Sequence, residues 1–465
     1  MTKQTLPDLL VSSTHKKFLF LGREELFTQD EIARFLKKYD ITMTKYLEED
    51  VVAIIEPLHL NPVEEDISND AYEAKIPSFS LEVFEKLLSE SIHDDELLMA
   101  IKLTNDQARI FRLLGNENIS ETLFVKLLAL YRWHDDEEDS REDRDVIVYT
   151  LKRYIEIKPN EADLHYSYLT LRRLATEATN PQLLLALIGF PNFEFLIRGK
   201  EKVTLRETIA RNSCIDKEVI NKLISLRDKR VDVALAGNSA VEIGLLQTLL
   251  KKEKEQINEA LATNKNIDNE IFQTLLTKED KIVQLLLLSQ KIDKKRLGFI
   301  DAQVLDKALF ATIGANECLD EEVIDILLQK EEERLLCNLA QNSTVSKEHL
   351  EVIYQKGMRT TFAYLAMNPV TPVALLQKFY KESEAKELQV ALAHNPSTPE
   401  SILRALFEKN DLEIQKSMAS NPSIPLDILD MLKVDTRLQN ELAKNPILIK
   451  GYETVLDYDK KAVQF

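Results

Sequence analysis

Seven histidines are the side chains best suited to acid–base or metal chemistry, and they are scattered through the chain. No pair has the HExxH or His-x-x-x-His spacing that would place two metal ligands on one face of a helix. His93 and His134 are each followed by two aspartates, which could hold a cation. An exposed histidine at the acidic start of a helix is the commoner arrangement. His349 and His394 fall at regular positions of the repeat described below.

The sequence also lacks the usual phosphate-binding and nucleophile motifs. It contains no GxGxxG, GxxxxGK or GxSxG, and only 10 glycines where about 30 are usual for this length. Few glycines also argue against a β-rich fold. We therefore predict no catalytic residue, no cofactor and no metal site, and a protein that is not an enzyme.

One region keeps an enzymatic alternative open. Residues 134–145 carry eight acids and two arginines, a run of like charge that is typical of an exposed loop. Such a loop could also dock a basic partner or bind a metal. The protein would be an enzyme, or an accessory subunit of one, if region 131–200 formed a cleft from His134, Asp135, Asp136 and His165.

The composition describes an acidic globular protein. Its net charge is −18 and its basic runs are short and lie next to acids, so we expect no direct nucleic-acid binding; a hidden basic face is the alternative. Three widely separated cysteines are typical of buried small residues in a reducing compartment. No apolar run reaches the ~18 residues of a membrane helix. These features predict a cytoplasmic protein with no membrane segment.

A repeat of about 26 residues sets the architecture from residue 200 onward. Each copy reads Leu-Ala-x-Asn, a short turn, and then Ile/Leu-Leu-x-x-Leu-Leu. The small residue before the asparagine allows close approach of neighbouring helices, and the leucines form one stripe of a short amphipathic helix that must pack on the next copy. The asparagine position is filled by Asn212, Asn238, Asn264, Ser289, Asn316, Asn342, Asn368, Asn395, Asn421 and Asn445.

Two interpretations of the repeated asparagine are open. Its amide could line a binding groove, or it could close the turn by hydrogen bonds to nearby backbone, and the second is favoured. Thr371-Pro372 and Thr398-Pro399 predict N-caps for the helices that follow. Where proline is missing, the cap position is taken by Asp216, Asp268 and Asp320.

The phrase Leu-Ala-His-Asn395-Pro396-Ser-Thr398-Pro399-Glu-Ser-Ile-Leu-Arg-Ala-Leu resembles the leucine-rich repeat variant family of bacterial proteins. The resemblance is closest over 360–446. It implies a right-handed superhelix of paired helices, one of them short or 3₁₀; two full short helices per unit, as in HEAT-like arrays, are the alternative. The iron–sulfur cysteine cluster of some members has no counterpart here, because all three cysteines lie beyond residue 200.

Residues 16–90 predict a small α/β unit in the order β-α-β-β-α-β-α, which implies a parallel sheet flanked by helices. The last helix is expected to start at Ser80, which caps it. This order, with Lys75-Ile76-Pro77 before a Ser-led helix, resembles a BRCT domain, a partner-binding module. Phe84 replaces that family's tryptophan, and Leu21 replaces the hydroxyl residue of its phosphopeptide-binding members. A generic α/β docking domain is the alternative.

The predicted fold class is mostly α: an α-α superhelix of helical repeats, with a small N-terminal α/β domain. The expected regions are 1–90, the α/β domain; 91–199, irregular helices with the acidic loop; 200–449, the array; and 450–465, a C-terminal cap. Earlier copies are suggested by Asn116, Ser89 and Asn180-Pro181.

The function expected from this fold is a non-enzymatic scaffold or adaptor. It would bind protein partners on the repeat surface and hold a second docking site in the N-terminal domain. If the BRCT resemblance holds, a nucleic-acid-associated protein that acts through that domain is a further alternative.

Overall fold

The computed structural model describes residues 5–22, 26–134, 140–155, 168–196, 202–303 and 305–449. The described chain is mostly α-helical with a small N-terminal α/β domain, as the sequence predicts. It divides into two compact units, Met1–Ala240 and Val241–Phe465. Among the described residues, none of the helices combines the length and the hydrophobicity that a membrane crossing requires. The predicted C-terminal cap, 450–465, lies outside the described residues.

The first unit begins with a four-stranded parallel sheet in the order β2-β1-β3-β4. The predicted order of elements is confirmed, and one additional helix precedes it. Ser80 caps the last helix of the domain, because its Oγ accepts the N–H of Val83 at 3.3 Å. The elements are α1 (Leu6–Ser12), β1 (Lys17–Phe20), α2 (Gln29–Lys37), β2 (Thr42–Thr44), β3 (Val51–Glu56), α3 (Pro62–Glu73), β4 (Ser78–Ser80) and α4 (Leu81–Ser91).

The two faces of this sheet are covered differently. On one face, Phe84 of α4 packs edge-to-face against Phe20 and Phe35, with ring centroids 5.0 and 5.7 Å apart. On the other face, Leu19 and Ile54 are buried with Ala71, the only buried residue of α3. The continuously apolar β3 is therefore a central strand, as expected for a parallel sheet covered on both sides.

In the described residues, the secondary structure of the rest of the first unit is helical apart from one antiparallel strand pair. A buried ion pair joins it to the sheet domain: Arg109 Nη2 donates to Glu31 Oε2 at 2.5 Å, and both side chains are nearly inaccessible. The elements are α5 (Asp94–Thr104), α6 (Gln107–Leu114), α7 (Glu121–Leu130), α8 (Arg141–Tyr154), α9 (Tyr168–Glu177), α10 (Pro181–Ile188), β5 (Glu194–Leu196), β6 (Lys202–Thr204), α11 (Leu205–Ala210), α12 (Lys217–Ser225) and α13 (Lys229–Gly237).

The second unit alternates two kinds of helix, which we call row A and row B. Row B holds the predicted leucine stripes: α14 (Ile243–Leu250), α16 (Asn269–Leu276), α18 (Lys294–Gln303), α20 (Glu321–Gln329), α22 (Lys347–Gln355), α24 (Val373–Glu382), α26 (Glu400–Glu408) and α28 (Leu426–Leu432). Row A helices precede the repeated asparagine or, after α17, the residue in its place: α15 (Glu255–Thr263), α17 (Lys281–Leu288), α19 (Lys307–Ala311), α21 (Glu333–Gln341), α23 (Arg359–Met367), α25 (Lys386–His394), α27 (Leu412–Ser420) and α29 (Gln439–Leu442).

Each repeat of this unit therefore contains two short helices. Along row A, each helix packs against the next. One row A helix, α19, continues as a 3₁₀ turn over Thr312–Ala315, and another 3₁₀ turn, Thr436–Leu438, precedes α29. Gly314 lies in the first of these turns, where a Cβ would stand 2.7 Å from the carbonyl oxygen of Leu335. The small residue before the asparagine thus permits close helix contact, and here only glycine fits.

The two Thr-Pro pairs start their helices differently from the prediction. The N-caps are Pro372 and Pro399, one residue later than expected. The Thr371 hydroxyl instead donates to the carbonyl oxygen of Leu365 at 2.6 Å, and Thr398 makes the equivalent bond to Leu392. The prediction was wrong because the threonine hydroxyl finds an acceptor among the carbonyl oxygens in the last turn of the preceding row A helix.

The aspartate caps are confirmed at two of three positions. The carboxylate of Asp216 accepts the N–H of Val219 at 2.9 Å, and that of Asp268 accepts the N–H of Ile271 at 2.8 Å. Asp320 occupies the N-cap of α20 without a side-chain bond to the helix.

Candidate binding surface on the repeat helices

Each repeated asparagine stands where a row A helix, or its counterpart in the first unit, ends. Asn368 shows the geometry: its Oδ1 accepts the N–H of Val370 at 2.9 Å. Its Nδ2 donates to two carbonyl oxygens of the preceding repeat, those of Ala340 at 2.8 Å and Asn342 at 2.9 Å. One side chain therefore closes its own turn and also ties its repeat to the one before.

The same bonds recur along the chain and form what we call the asparagine ladder. In the second unit, six asparagines donate through Nδ2 to the carbonyl oxygen of the previous ladder residue and to that of the residue two positions before it. They are Asn316, Asn342, Asn368, Asn395, Asn421 and Asn445. In the first unit, Asn238 does the same with Ala210 and Asn212. Asn212 donates to Ala175 and Ala178, and Asn264 accepts the N–H of Asn266.

The ladder side chains are turned away from solvent. All nine asparagines are buried, and Asn395, Asn421 and Asn445 are 0% exposed. Where both N–H groups of an amide already donate to backbone carbonyls, none is left to hold a ligand. The surface of the repeats that could meet a partner must therefore be built from other positions.

One ladder position was assigned to the wrong residue in the sequence. Gln290, not Ser289, fills the place between Asn264 and Asn316, and its Nε2 donates to the carbonyl oxygens of Ala262 at 2.5 Å and Asn264 at 3.1 Å. A serine hydroxyl cannot span both carbonyls, whereas a glutamine amide can. The spacing was the available signal, because Gln290 lies 26 residues from each neighbouring asparagine.

The earlier copies of the repeat that the sequence suggests in the first unit differ from one another in structure. Asn116 accepts the N–H of Asn118 at 2.9 Å and donates to Ser89 Oγ at 2.9 Å, so this pair resembles a ladder step. Asn180 does not: it is the half-buried N-cap of α10 and accepts the N–H of Gln182 at 3.0 Å. Proline in the first helical position makes the preceding asparagine a cap.

The structure describes only part of the candidate catalytic cleft in region 131–200. His134 Nδ1 lies 3.0 Å from Asp143 Oδ1, which also accepts the hydroxyl of Tyr131 at 2.8 Å. Burial, and then this carboxylate, raises the pKa of Tyr131. The cluster joins the end of α7 to the first turn of α8. Asp135, Asp136 and His165 lie outside the described residues.

The other histidines and the cysteines form no ligand cluster with one another in the described residues. His93 stands at the N-cap of α5 without a side-chain cap bond. His349 is half-buried and bridges Ser346 Oγ and Asp325 Oδ1, both at 3.0 Å. The cysteines were expected to be buried; instead Cys318 is exposed, and Cys214 and Cys337 are half-buried.

The strand-end glycine of the N-terminal domain already has an anionic partner. The N–H of Gly22 donates to Glu64 Oε1 at 3.1 Å, from the first turn of α3. A phosphate brought to this N–H would meet a carboxylate of the same charge. Together with the leucine at position 21, this contact gives no support for phosphate recognition here.

An open groove on row A is the surface that the sequence interpretation missed. It has a volume of about 990 Å³ and crosses the five row A helices from α19 to α27. Its floor uses the position five residues before each ladder residue, occupied by Ala311, Cys337, Ala363 and Val390. Two large side chains stand open in it, Tyr364 at 40% and Met367 at 36% exposure. We call this surface the row A groove.

Comparison of the chain with protein-family models, with curated proteins and with solved structures gave no match. The geometry of the chain itself must therefore carry the functional argument.

Proposed function

We propose that the protein is a non-enzymatic scaffold that binds a segment of a partner protein in the row A groove. The observation that carries the proposal is the groove itself, which joins equivalent positions of successive repeats into one continuous open surface. Exposed aromatic and methionine side chains on such a surface are typical of protein–protein contacts.

The groove suits a chain molecule better than a small one. Pockets for small molecules enclose most of the ligand and present a few convergent polar groups. Here the trough is open along its length and its floor is made of alanine, cysteine and valine. Charged side chains also line it: Glu333, Arg334, Lys386, Glu387 and Glu413. The amide of Asn338, which also lines it, already donates to the carbonyl oxygen of Ala311 at 2.8 Å.

The N-terminal α/β domain provides the second docking site of the proposal. Its parallel sheet, covered by helices on both faces, supports the interpretation as a BRCT-like module that binds a protein without using phosphate. The paired helices support an array of the leucine-rich repeat variant type. On these two resemblances we place the protein in a bacterial cytoplasm, with the two sites acting as a bivalent adaptor.

The experiment is site-specific photo-crosslinking in the source cells. A photoreactive phenylalanine analogue replaces Tyr364 in the groove, and in a matched variant it replaces Val352 on row B, which is 39% exposed against 40% for Tyr364. We expect a defined protein adduct from the groove position only. Equal adducts at both positions, or none at Tyr364, would contradict the proposal. The same analogue at Tyr46, which is 75% exposed, tests the second site.

A further inference from the structure

The exposed face of row A carries a seam without charge. We consider the five row A helices from α17 to α25. The positions five, four and one before their ladder residues contain no Asp, Glu, Lys or Arg, although charged residues make up 30% of the chain. The seam continues the row A groove onto α17, where Ile282 and Leu285 are 57% and 48% exposed. A charged group placed against such a surface would lose hydration without gaining a partner.

A row of cations borders this seam. Each of four successive row A helices has a base as its first or second residue: Lys281, Lys307, Arg334 and Arg359. All four are exposed, and no carboxylate in the described part of the chain forms an ion pair with any of them. The next helix differs, since Lys386 is paired with Asp411 at 2.8 Å.

These cations are not explained by helix stability. A base in the first turn of a helix is opposed by the helix dipole. The acids just before three of these bases, Asp280, Asp306 and Glu332, cap their helices by accepting backbone N–H groups and form no ion pair with the row in the described residues. Among the first two residues of the four helices, Glu333 is the one acid. The row is therefore available to an anionic partner, although the chain as a whole carries a charge of −18.

The spacing of the row sets the form of that partner. Helices packed side by side are about 8–10 Å apart. An extended or polyproline II segment advances about 3.1–3.3 Å per residue, so about three of its residues span one helix. In polyproline II, every third side chain also points to the same side.

Resting on the proposed function, we propose that the groove takes an extended protein segment of about twelve residues. Every third residue of this segment is Asp or Glu, facing the cation row, and the residues between them are apolar and lie on the uncharged seam. The partner is thus an acidic, apolar and extended protein segment, selected by charge and by spacing.

The test uses the full chain and a fluorescein-labelled peptide of four Asp-Val-Pro triplets, followed by fluorescence anisotropy at low salt. The double variant Arg334→Glu/Arg359→Glu should weaken binding at least ~10-fold, because close charge pairs across an interface contribute strongly. The matched control is Lys295→Glu/Lys347→Glu, which changes the charge equally on row B and should stay within about 2-fold. Circular dichroism checks folding, and Arg334→Gln and Arg359→Gln replace the double reversal if it unfolds.

Two further probes decide between explanations. A peptide of the same composition with its four aspartates grouped at one end should bind more weakly, and equal binding would overturn the spacing argument. If dodecathymidylate binds and the peptide does not, the cation row serves nucleic acid and the inference is wrong. Adducts at Tyr364 without binding of the acidic peptide would overturn this inference and leave the proposed function standing.

Discussion

The asparagine ladder makes a sharp prediction about how repeats are coupled, and Asn395→Ala tests it. The Asn395 side chain is 0% exposed. It accepts the N–H of Ser397 and donates to the carbonyl oxygens of Ala366 and Asn368, all at 2.7 Å. The oxygen of Asn368 also accepts the N–H of Thr371, so it stays paired in the variant. Two groups lose this partner, the buried oxygen of Ala366 and the half-buried N–H of Ser397.

The magnitude follows from these two groups. A buried polar group left without a partner costs about 1–3 kcal/mol, so we expect Asn395→Ala to lower the local stability by about 2–4 kcal/mol. Since 1.4 kcal/mol is tenfold, amide exchange in α25 and α27 should accelerate about 30- to 700-fold. Hydrogen–deuterium exchange read by mass spectrometry on the full chain measures this directly. The effect should be largest in the repeats that adjoin the substitution, because repeats contact only their neighbours.

Two variants control the interpretation. Asn440→Ala changes an exposed asparagine of α29. It should change the opening free energy measured by amide exchange by less than about 0.5 kcal/mol. Asn395→Asp places a carboxylate opposite two carbonyl oxygens, so at neutral pH it should be less stable than Asn395→Ala. That carboxyl should have a raised pKa in the folded protein, and stability should recover as the pH falls and a proton becomes available to donate. If Asn395→Ala behaves like Asn440→Ala, the ladder does not couple the repeats.

The remaining predictions concern single contacts. Burial raises the pKa of Glu31, but the hydrogen bond from Arg109 and those from Thr28 outweigh it and hold the pKa below 4.5. The ion pair therefore stabilises the fold above that pH, and its contribution is lost as the pH falls through the lower folded pKa. Urea unfolding of Arg109→Met should show a loss of about 3–5 kcal/mol at pH 7 that shrinks in acid; a pH-independent loss would contradict the assignment. Gly22→Ala should destabilise, because φ is +74° and the new Cβ would lie 2.5 Å from Pro57 Cγ. Gly298→Ala, with nothing within 4 Å inside α18, should instead stabilise by about 0.5–1 kcal/mol, and thermal unfolding compares the two. In native protein, Cys318 should react with a thiol reagent faster than the half-buried Cys214 and Cys337, and equal rates would argue against the described exposures.

Periodicity predicted the helices of the second unit because a leucine stripe every three or four residues has one structural solution, a buried helix face. Periodicity does not show which groups pair across repeats, since it establishes only that positions are equivalent. The bond from Asn368 to Asn342 was therefore not predictable, although the turn at Asn368 was. Thr371 shows the same limit locally. A threonine before proline can cap the next helix or donate to the previous one, and only the position of the Leu365 carbonyl, which also accepts the N–H of Asn368, decides.

The sheet order of the N-terminal domain and the row A groove could not be predicted from the sequence for another reason. Parallel strands and their sequence order were predictable from apolar runs, but the adjacency β2-β1-β3-β4 depends on how the connecting helices cross. The groove is made of positions that no core requires, such as Ala363 and Tyr364. Their pattern becomes informative only once row A is known to be a continuous surface.

Burial separates the positions that hold the array together from those that could choose a partner. The ladder asparagines are buried, and their amide bonds close their own turns and join each repeat to the one before. The bases of the cation row are exposed, and the seam combines exposed side chains such as Tyr364 and Met367 with buried alanines at its floor. Substitution of Asn395 should therefore weaken folding without changing which peptide is preferred. Reversal of Arg334 and Arg359 should change the preference without weakening folding. If the two effects could not be separated in this way, the groove would be a by-product of helix packing and not a binding surface.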